Sequence, residues 1–257
     1  IVSAVSVLFA GITTDILAPL FSVSTSLFPE LDLITLSVKD IWIPLVVGVA
    51  VGLFAVLFLH YYEWIAALVG KKLKNVPRTW KIFFVFALTV GLGLVSYSFI
   101  STGHELILSL FEERTALAML LLILFVRSTL TLLANTNGIT GGIFLPLLSL
   151  GAVLASLLGQ VLVRAFGLSE SYYTMILVLG ITACISGMMK MPLTAIVFAV
   201  EALSCHENIL YILVVSMAAF IITEIFEVRS INEIVLEGRE ESQNKGKTAC
   251  VIDTFVT

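Results

Sequence analysis

The chain has 257 residues, 59% of them hydrophobic and only 12% charged, and its mean hydropathy is +1.10. Soluble domains carry about 25% charged residues, so this composition excludes one of them. It also disfavours a β-barrel, whose strands alternate apolar and polar residues; the formal net charge of −4 says little beside the placement of Lys and Arg. What remains is an all-α polytopic membrane protein, because helices satisfy their own backbone in lipid and need roughly 20 apolar residues per crossing.

Apolar blocks fall at about 1–21, 41–70, 81–100, 115–134, 143–163, 171–189, 192–203 and 208–226. The first lacks the basic flank of a signal peptide and is interrupted by Asp15 and Pro19, so it reads as a span with its end near those residues. The block from Trp42 to Gly70 is long enough to cross at a steep tilt. Glu63 and His60 mark its emergence, with Tyr61, Tyr62 and Trp64 as an interfacial belt. Five of the fourteen basic residues follow in "KKLKNVPRTWK", whereas "STGHELILSLFEER" is mostly acidic. The first connection is therefore expected to be cytoplasmic and the second external. Block 115–134 then descends with Arg127 inside it, 143–163 climbs, 171–203 dips and returns, and 208–226 descends, leaving the basic tail in the cytoplasm. The stretch from Pro192 to Leu203 is too short to cross and reads as half of a broken or re-entrant pair. Glu201 within it reads as a structural residue near the helix end. Gly48 and Gly52, and Gly151, Ala155 and Gly159, stand one turn apart, the pattern of close helix packing.

The segment "LLANTNGITGGIFLPLLSLGA", Leu132 to Ala152, places asparagines, glycines and a proline where a span should run. A helix that starts inside the membrane exposes unpaired amides in its first turn, and glycines before it let another group approach them. Gly141 and Gly142 fill that role, Pro146 fits a first turn, and Thr140 or Gly142 can cap. Such a start concentrates about half a positive charge and suits an anion. A plain Gly/Pro kink is the alternative, but Asn135 and Asn137 add polar groups at membrane depth, which usually face a cavity. Two amides and a dipole only just offset the several kcal/mol of ion dehydration, so other donors must converge on the site.

"GGIFLP", Gly141 to Pro146, preceded by "RSTLTLLANTNG", resembles the GxFxP signature of the CLC family of chloride channels and proton-coupled anion antiporters. "KMPLTAIVFAVEAL", Lys190 to Leu203, is similar to that family's [KR]xPLTxxxxxxE segment, and the unequal spans match the second of its two inverted repeats. The resemblance implies an inverted-repeat bundle of broken and re-entrant helices, of which this chain is roughly the second half. In those terms 1–40 is the last span of the first repeat with an external loop, 41–228 is the second repeat, and 229–257 is a cytoplasmic helix, a linker and the start of a regulatory domain. It implies that backbone amides of Ile143 and Phe144 coordinate a chloride or other halide. It also implies a homodimer in the plasma (inner) membrane, joined through the 1–20, 192–203 and 208–226 helices, with protons as a second cargo in antiporters. The family's gating and proton-transfer glutamates belong to the first repeat. Two departures stand out: Thr140 replaces a common Pro before the glycine pair, and Asn232 aligns with a pore tyrosine, as in the fluoride-exporting branch.

The chain begins at Ile1 without Met and ends in the strand-like "ACVIDTFVT" after a linker-like tract, which reads as a piece of a longer protein. A non-transporting scaffold is the rival of another class. An enzyme is not expected, because no nucleophile, base and orienter fall together. Cys184, Cys205 and Cys250 form no metal motif with His60, His104 or His206, so no metal, other cofactor or nucleic acid is anticipated.

Overall fold

The computed structural model describes residues 2–17, 20, 28, 33–72, 76–96, 99–100, 103–137, 139 and 141–237. Within them the chain is all helical: α1 (Val2–Leu17), α2 (Trp42–Lys72), α3 (Arg78–Val95), α4 (His104–Glu112), α5 (Leu117–Thr136), α6 (Phe144–Phe166), α7 (Glu170–Met189), α8 (Pro192–Glu201), α9 (Ile209–Ile225) and α10 (231–237). Five of them, α2, α5, α6, α7 and α9, are long and apolar enough to cross a bilayer. The strand anticipated near Thr257, the linker before it and Cys250 lie outside the described residues.

α7 forms the axis of the bundle. Every residue from Met175 to Met188 is buried, as expected of a helix that is apolar all round and surrounded by others. Around it pack α2, α6 and α9, and small residues set the spacing. A Cβ added at Gly48 would come within 2.7 Å of Ala218 Cβ and 2.8 Å of the Val215 carbonyl, and one at Gly52 within 2.9 Å of Ile222 Cβ, so α2 and α9 touch backbone to backbone. Gly151 and Gly180 do the same for α6 and α7, where an added Cβ at Gly180 would run into Ala155. Between like-apolar helices in lipid, such close dispersion contact replaces the hydrophobic drive.

The pair read as dipping and returning is unequal. α7 is long enough to cross by itself, whereas α8 has ten residues, about 15 Å at the α-helical rise. Between them Lys190 turns the chain in the left-handed region at φ 55°. Pro192 opens α8, where its missing N–H costs nothing. Its carbonyl accepts from Ser216 Oγ at 3.2 Å, and Ser186 Oγ donates to the Ser216 carbonyl at 2.7 Å, which ties the start of α8 to α9 and α7.

Contacts sort the helix ends into two groups. At one end Trp42 stacks near Phe166 at 4.9 Å and Tyr172 donates to Asp40 at 3.3 Å. There too, buried Asn208 clips the extended segment 33–37, accepting from Leu36 N–H at 2.9 Å and donating to the Ile34 carbonyl at 3.0 Å. At the other end Lys190 pairs with Glu224 at 2.7 Å, and Arg229 bridges Glu63 at 3.0 Å and Glu237 at 2.5 Å. Three expectations change here. Glu63 is an ion-pair partner of the residue leading into α10 rather than only a marker of emergence. Tyr62 is 4% exposed and belongs to the core, not to an interfacial belt. The acidic connection contains α4, which buries Leu106, Ile107 and Leu110 against α6. Beside it Arg114 pairs with Glu170 and lies 4.7 Å over the Tyr173 ring, whose hydroxyl shares a 2.8 Å bond with Ser156 and donates to the Leu110 carbonyl at 3.3 Å. Asp15 falls inside the last turn of α1, and Pro19 lies outside the described residues. Glu201 is exposed at the end of α8.

Candidate anion site at the α5–α6 break

α5 ends with its polar residues turned back on themselves. Asn135 Nδ2 donates to the Thr131 carbonyl at 2.8 Å, Thr136 Oγ1 to Leu132 at 2.9 Å and Asn137 Nδ2 to Leu133 at 2.7 Å, each side chain reaching a carbonyl one turn back in its own helix. The N–H of Ile139 closes the turn on the Ala134 carbonyl at 3.1 Å. This corrects the expectation that both asparagines face a cavity: only Asn135 does, while Asn137 is buried at 7% exposure with its Oδ1 unpartnered among the described residues.

α6 starts afresh at Phe144. The residue before it, Ile143, has φ −85° and ψ −15° and makes no side-chain cap bond; because Ile143 is itself helical, the helical backbone begins directly after Gly142. Thr140 lies outside the described residues. The Leu147 N–H bonds the Ile143 carbonyl at 3.1 Å, but no described backbone carbonyl accepts from Ile143, Phe144 or Leu145 N–H. Pro146 has no N–H to satisfy. Gly141 and Gly142 are exposed, and a Cβ on either would meet nothing within 4 Å.

That open space belongs to a hollow of about 480 Å³. Gly141, Gly142 and Ile143 line it from the break, Leu145 and Pro146 from the first turn of α6, and Arg127, Thr131 and Asn135 from α5, with Thr89 of α3 among the remaining wall residues. The hollow thus gathers, at the positive end of a 23-residue helix, the polar residues Thr89, Thr131 and Asn135 and the buried Arg127 of α5, 5% exposed. Of the residues the sequence singled out, the structure brings together Gly141, Gly142 and Ile143. Phe144 is not in the wall, its ring turning onto Phe198 at 5.4 Å, and Asn232, half-buried on α10, does not line the hollow. Arg127 was visible in the sequence as a charge inside an apolar span, the signal that marks intramembrane function. Thr89 and Thr131 gave no signal. Among the described residues no cluster of three or more His, Cys, Asp or Glu side chains could hold a metal.

Five helices long and apolar enough to cross a bilayer, two of which, α5 and α6, meet at the hollow, mark an integral, multi-pass membrane protein. The profile of the voltage gated chloride channel family matches residues 1–224, and the chain belongs to that family. Its fold is that of the CLC transporters. It superposes on the crystal structure of a slow cyanobacterial Cl⁻/H⁺ antiporter with a TM-score of 0.74 and 20% identity, covering 86% of this chain and 52% of the other. With a eukaryotic CLC transporter the TM-score is 0.63 at 20% identity, covering 78% and 36%. The chain therefore spans about half the length of the cyanobacterial structure.

Proposed function

We propose that this chain is the second half of the membrane domain of a CLC-type transporter, and that it supplies one wall of the path for a small monovalent anion, chloride or another halide. The observation that carries the reading is the uncapped start of α6 opening on the hollow. Family membership supports it. Amides of Ile143 and Phe144 face the ion, Gly141 and Gly142 give it room, and Arg127 adds a positive potential. Thr140 and Asn232 are assigned to the same path by the family resemblance alone.

The energetics favour a shared site. Two charge-assisted amide bonds at about 1.5–3 kcal/mol each and a helix dipole at up to about 2 kcal/mol roughly balance a relaxed dehydration cost of several kcal/mol. The Arg127 charge tips that balance, and donors from the other half complete the shell. The cluster of Lys71, Lys72, Lys74, Arg78 and Lys81 supports a cytoplasmic position for the end bearing Glu63, Glu224 and Arg229, in a plasma (inner) membrane. Residues 1–40, 41–228 and 229–257 are then the end of one repeat, the second repeat and the lead into a cytoplasmic domain. The exposed faces of α1, α8 and α9 pair with a second copy. Proton exchange accompanies halide movement, as the likeness to an antiporter suggests; the protein is a transporter and not an enzyme.

The test is halide flux from liposomes containing the full-length protein, wild type against Gly142→Leu. Chloride flux in the wild type, with the leucine variant reduced at least tenfold, agrees with the proposal. Fluoride flux without chloride flux assigns the chain to the fluoride-exporting branch. A wild type that carries neither ion makes the protein a scaffold and overturns the reading.

A further inference from the structure

The first turn of α6 is held by two contacts that lie outside the break and the hollow. Gly103, the residue before α4, has φ +107°, and its backbone comes so close to α6 that a Cβ there would stand 2.8 Å from Ser149 Cβ and 3.0 Å from the Leu145 carbonyl oxygen. The next residue, His104, lays its ring beside Phe28 with centroids 5.4 Å apart and planes at 30°. Phe28, 3% exposed, meets Phe198 of α8 edge-on at 6.5 Å. Phe198 in turn meets Phe144 edge-on at 5.4 Å. Phe144 and Leu145 are consecutive residues opening α6, so the line of rings leaves α4 and returns to α6 one residue from where Gly103 touches it.

We propose that His104, Phe28, Phe198 and Phe144, together with Gly103, form a frame whose task is to position the first-turn amides of α6 toward the anion. The inference rests on the transport reading above. The helix backbone, with the Leu147 N–H on the Ile143 carbonyl, fixes those amides relative to the axis of α6, and tertiary contacts on the first turn set where that axis points. Hydrogen bonds to an ion weaken steeply as the donor turns away. Edge-to-face ring pairs are directional in a way that aliphatic packing is not, and Gly103 and Phe198, from two separate segments linked through His104 and Phe28, reach two adjacent residues of α6. His104, Phe28 and Phe198 touch no ion and are positioning residues, while Phe144 joins the two, its ring in the frame and its amide toward the ion.

The test measures chloride flux against chloride concentration for the full-length protein in liposomes. Phe198→Leu and His104→Ala remove a ring, while Phe198→Tyr and His104→Phe keep one. The two ring-deleting variants raise the half-saturating chloride concentration about two- to tenfold, the effect of one aromatic pair, and the ring-keeping variants stay within about twofold of the wild type. Maximal flux and the thermal midpoint change less than the half-saturating concentration. If all four variants keep the wild-type concentration dependence, or if only maximal flux and the thermal midpoint fall, the rings are core packing and the inference is overturned. Should Phe198→Leu fail to fold, the half-buried His104 pair of variants decides by the same criterion. A wild type without chloride flux overturns the transport reading first, and the frame with it.

Discussion

Replacing Arg127 by Gln removes one positive charge from the wall of the hollow while keeping a polar side chain of comparable reach. Arg127 and the break line the same hollow, and about 10 Å is taken as the separation between the ion and the guanidinium. At an effective dielectric of about 20, unit charges about 10 Å apart attract by about 1.7 kcal/mol, and about 1.4 kcal/mol is a factor of ten in an equilibrium constant. The expected result is a rise of roughly tenfold in half-saturating chloride concentration for Arg127→Gln, with Arg127→Lys retaining most of the wild-type affinity. Flux from liposomes at graded internal chloride reads the affinity, and a thermal scan in detergent checks that the fold persists. An Arg127→Gln protein that folds and saturates at the wild-type concentration would refute the electrostatic argument.

Three further outcomes follow from the packing. Gly180→Ala drives a Cβ into Ala155 and destabilises the bundle by about 1–3 kcal/mol, the usual cost of overpacking, and Ala155→Gly in the same protein restores the thermal midpoint. Asn208→Leu strips the clip from Leu36 and Ile34 and leaves both backbone groups to find water, a loss of about 1–3 kcal/mol that appears as faster proteolysis within 33–37. Cys205 is 1% exposed, and burial pushes its thiol up to about 12 although a hydrogen bond with Asn208 pulls the other way. The thiolate is the reactive form, so the group stays protonated at pH 8 and a maleimide labels it in native protein far more slowly than after denaturation. Equal labelling in the two states would contradict the burial.

What could be read in the chain was what local chemistry writes into it. The spans showed as apolar runs, and the break at residues 137–143 showed because glycines, asparagines and a proline have no other reason to sit in a span. α4 stayed hidden because its nine residues carry polar positions enough to pass for a loop, and its three buried side chains find their partner on α6, some forty residues away. The same holds for the rings at positions 28, 104, 144 and 198: nothing in their neighbourhoods in the sequence says they will meet. The asparagines were correctly seen as unusual, but their side chains answer first to the carbonyls of their own helix, a need that a site-directed reading overlooks.

If the amides opening α6 hold the travelling ion, crystals of the full-length protein grown in bromide give an anomalous diffraction peak in the hollow within hydrogen-bonding distance of the Ile143 or Phe144 nitrogen, weakened in Arg127→Gln. A bromide bound elsewhere with that hollow empty, or those nitrogens bonded to carbonyls, would contradict that role of the amides.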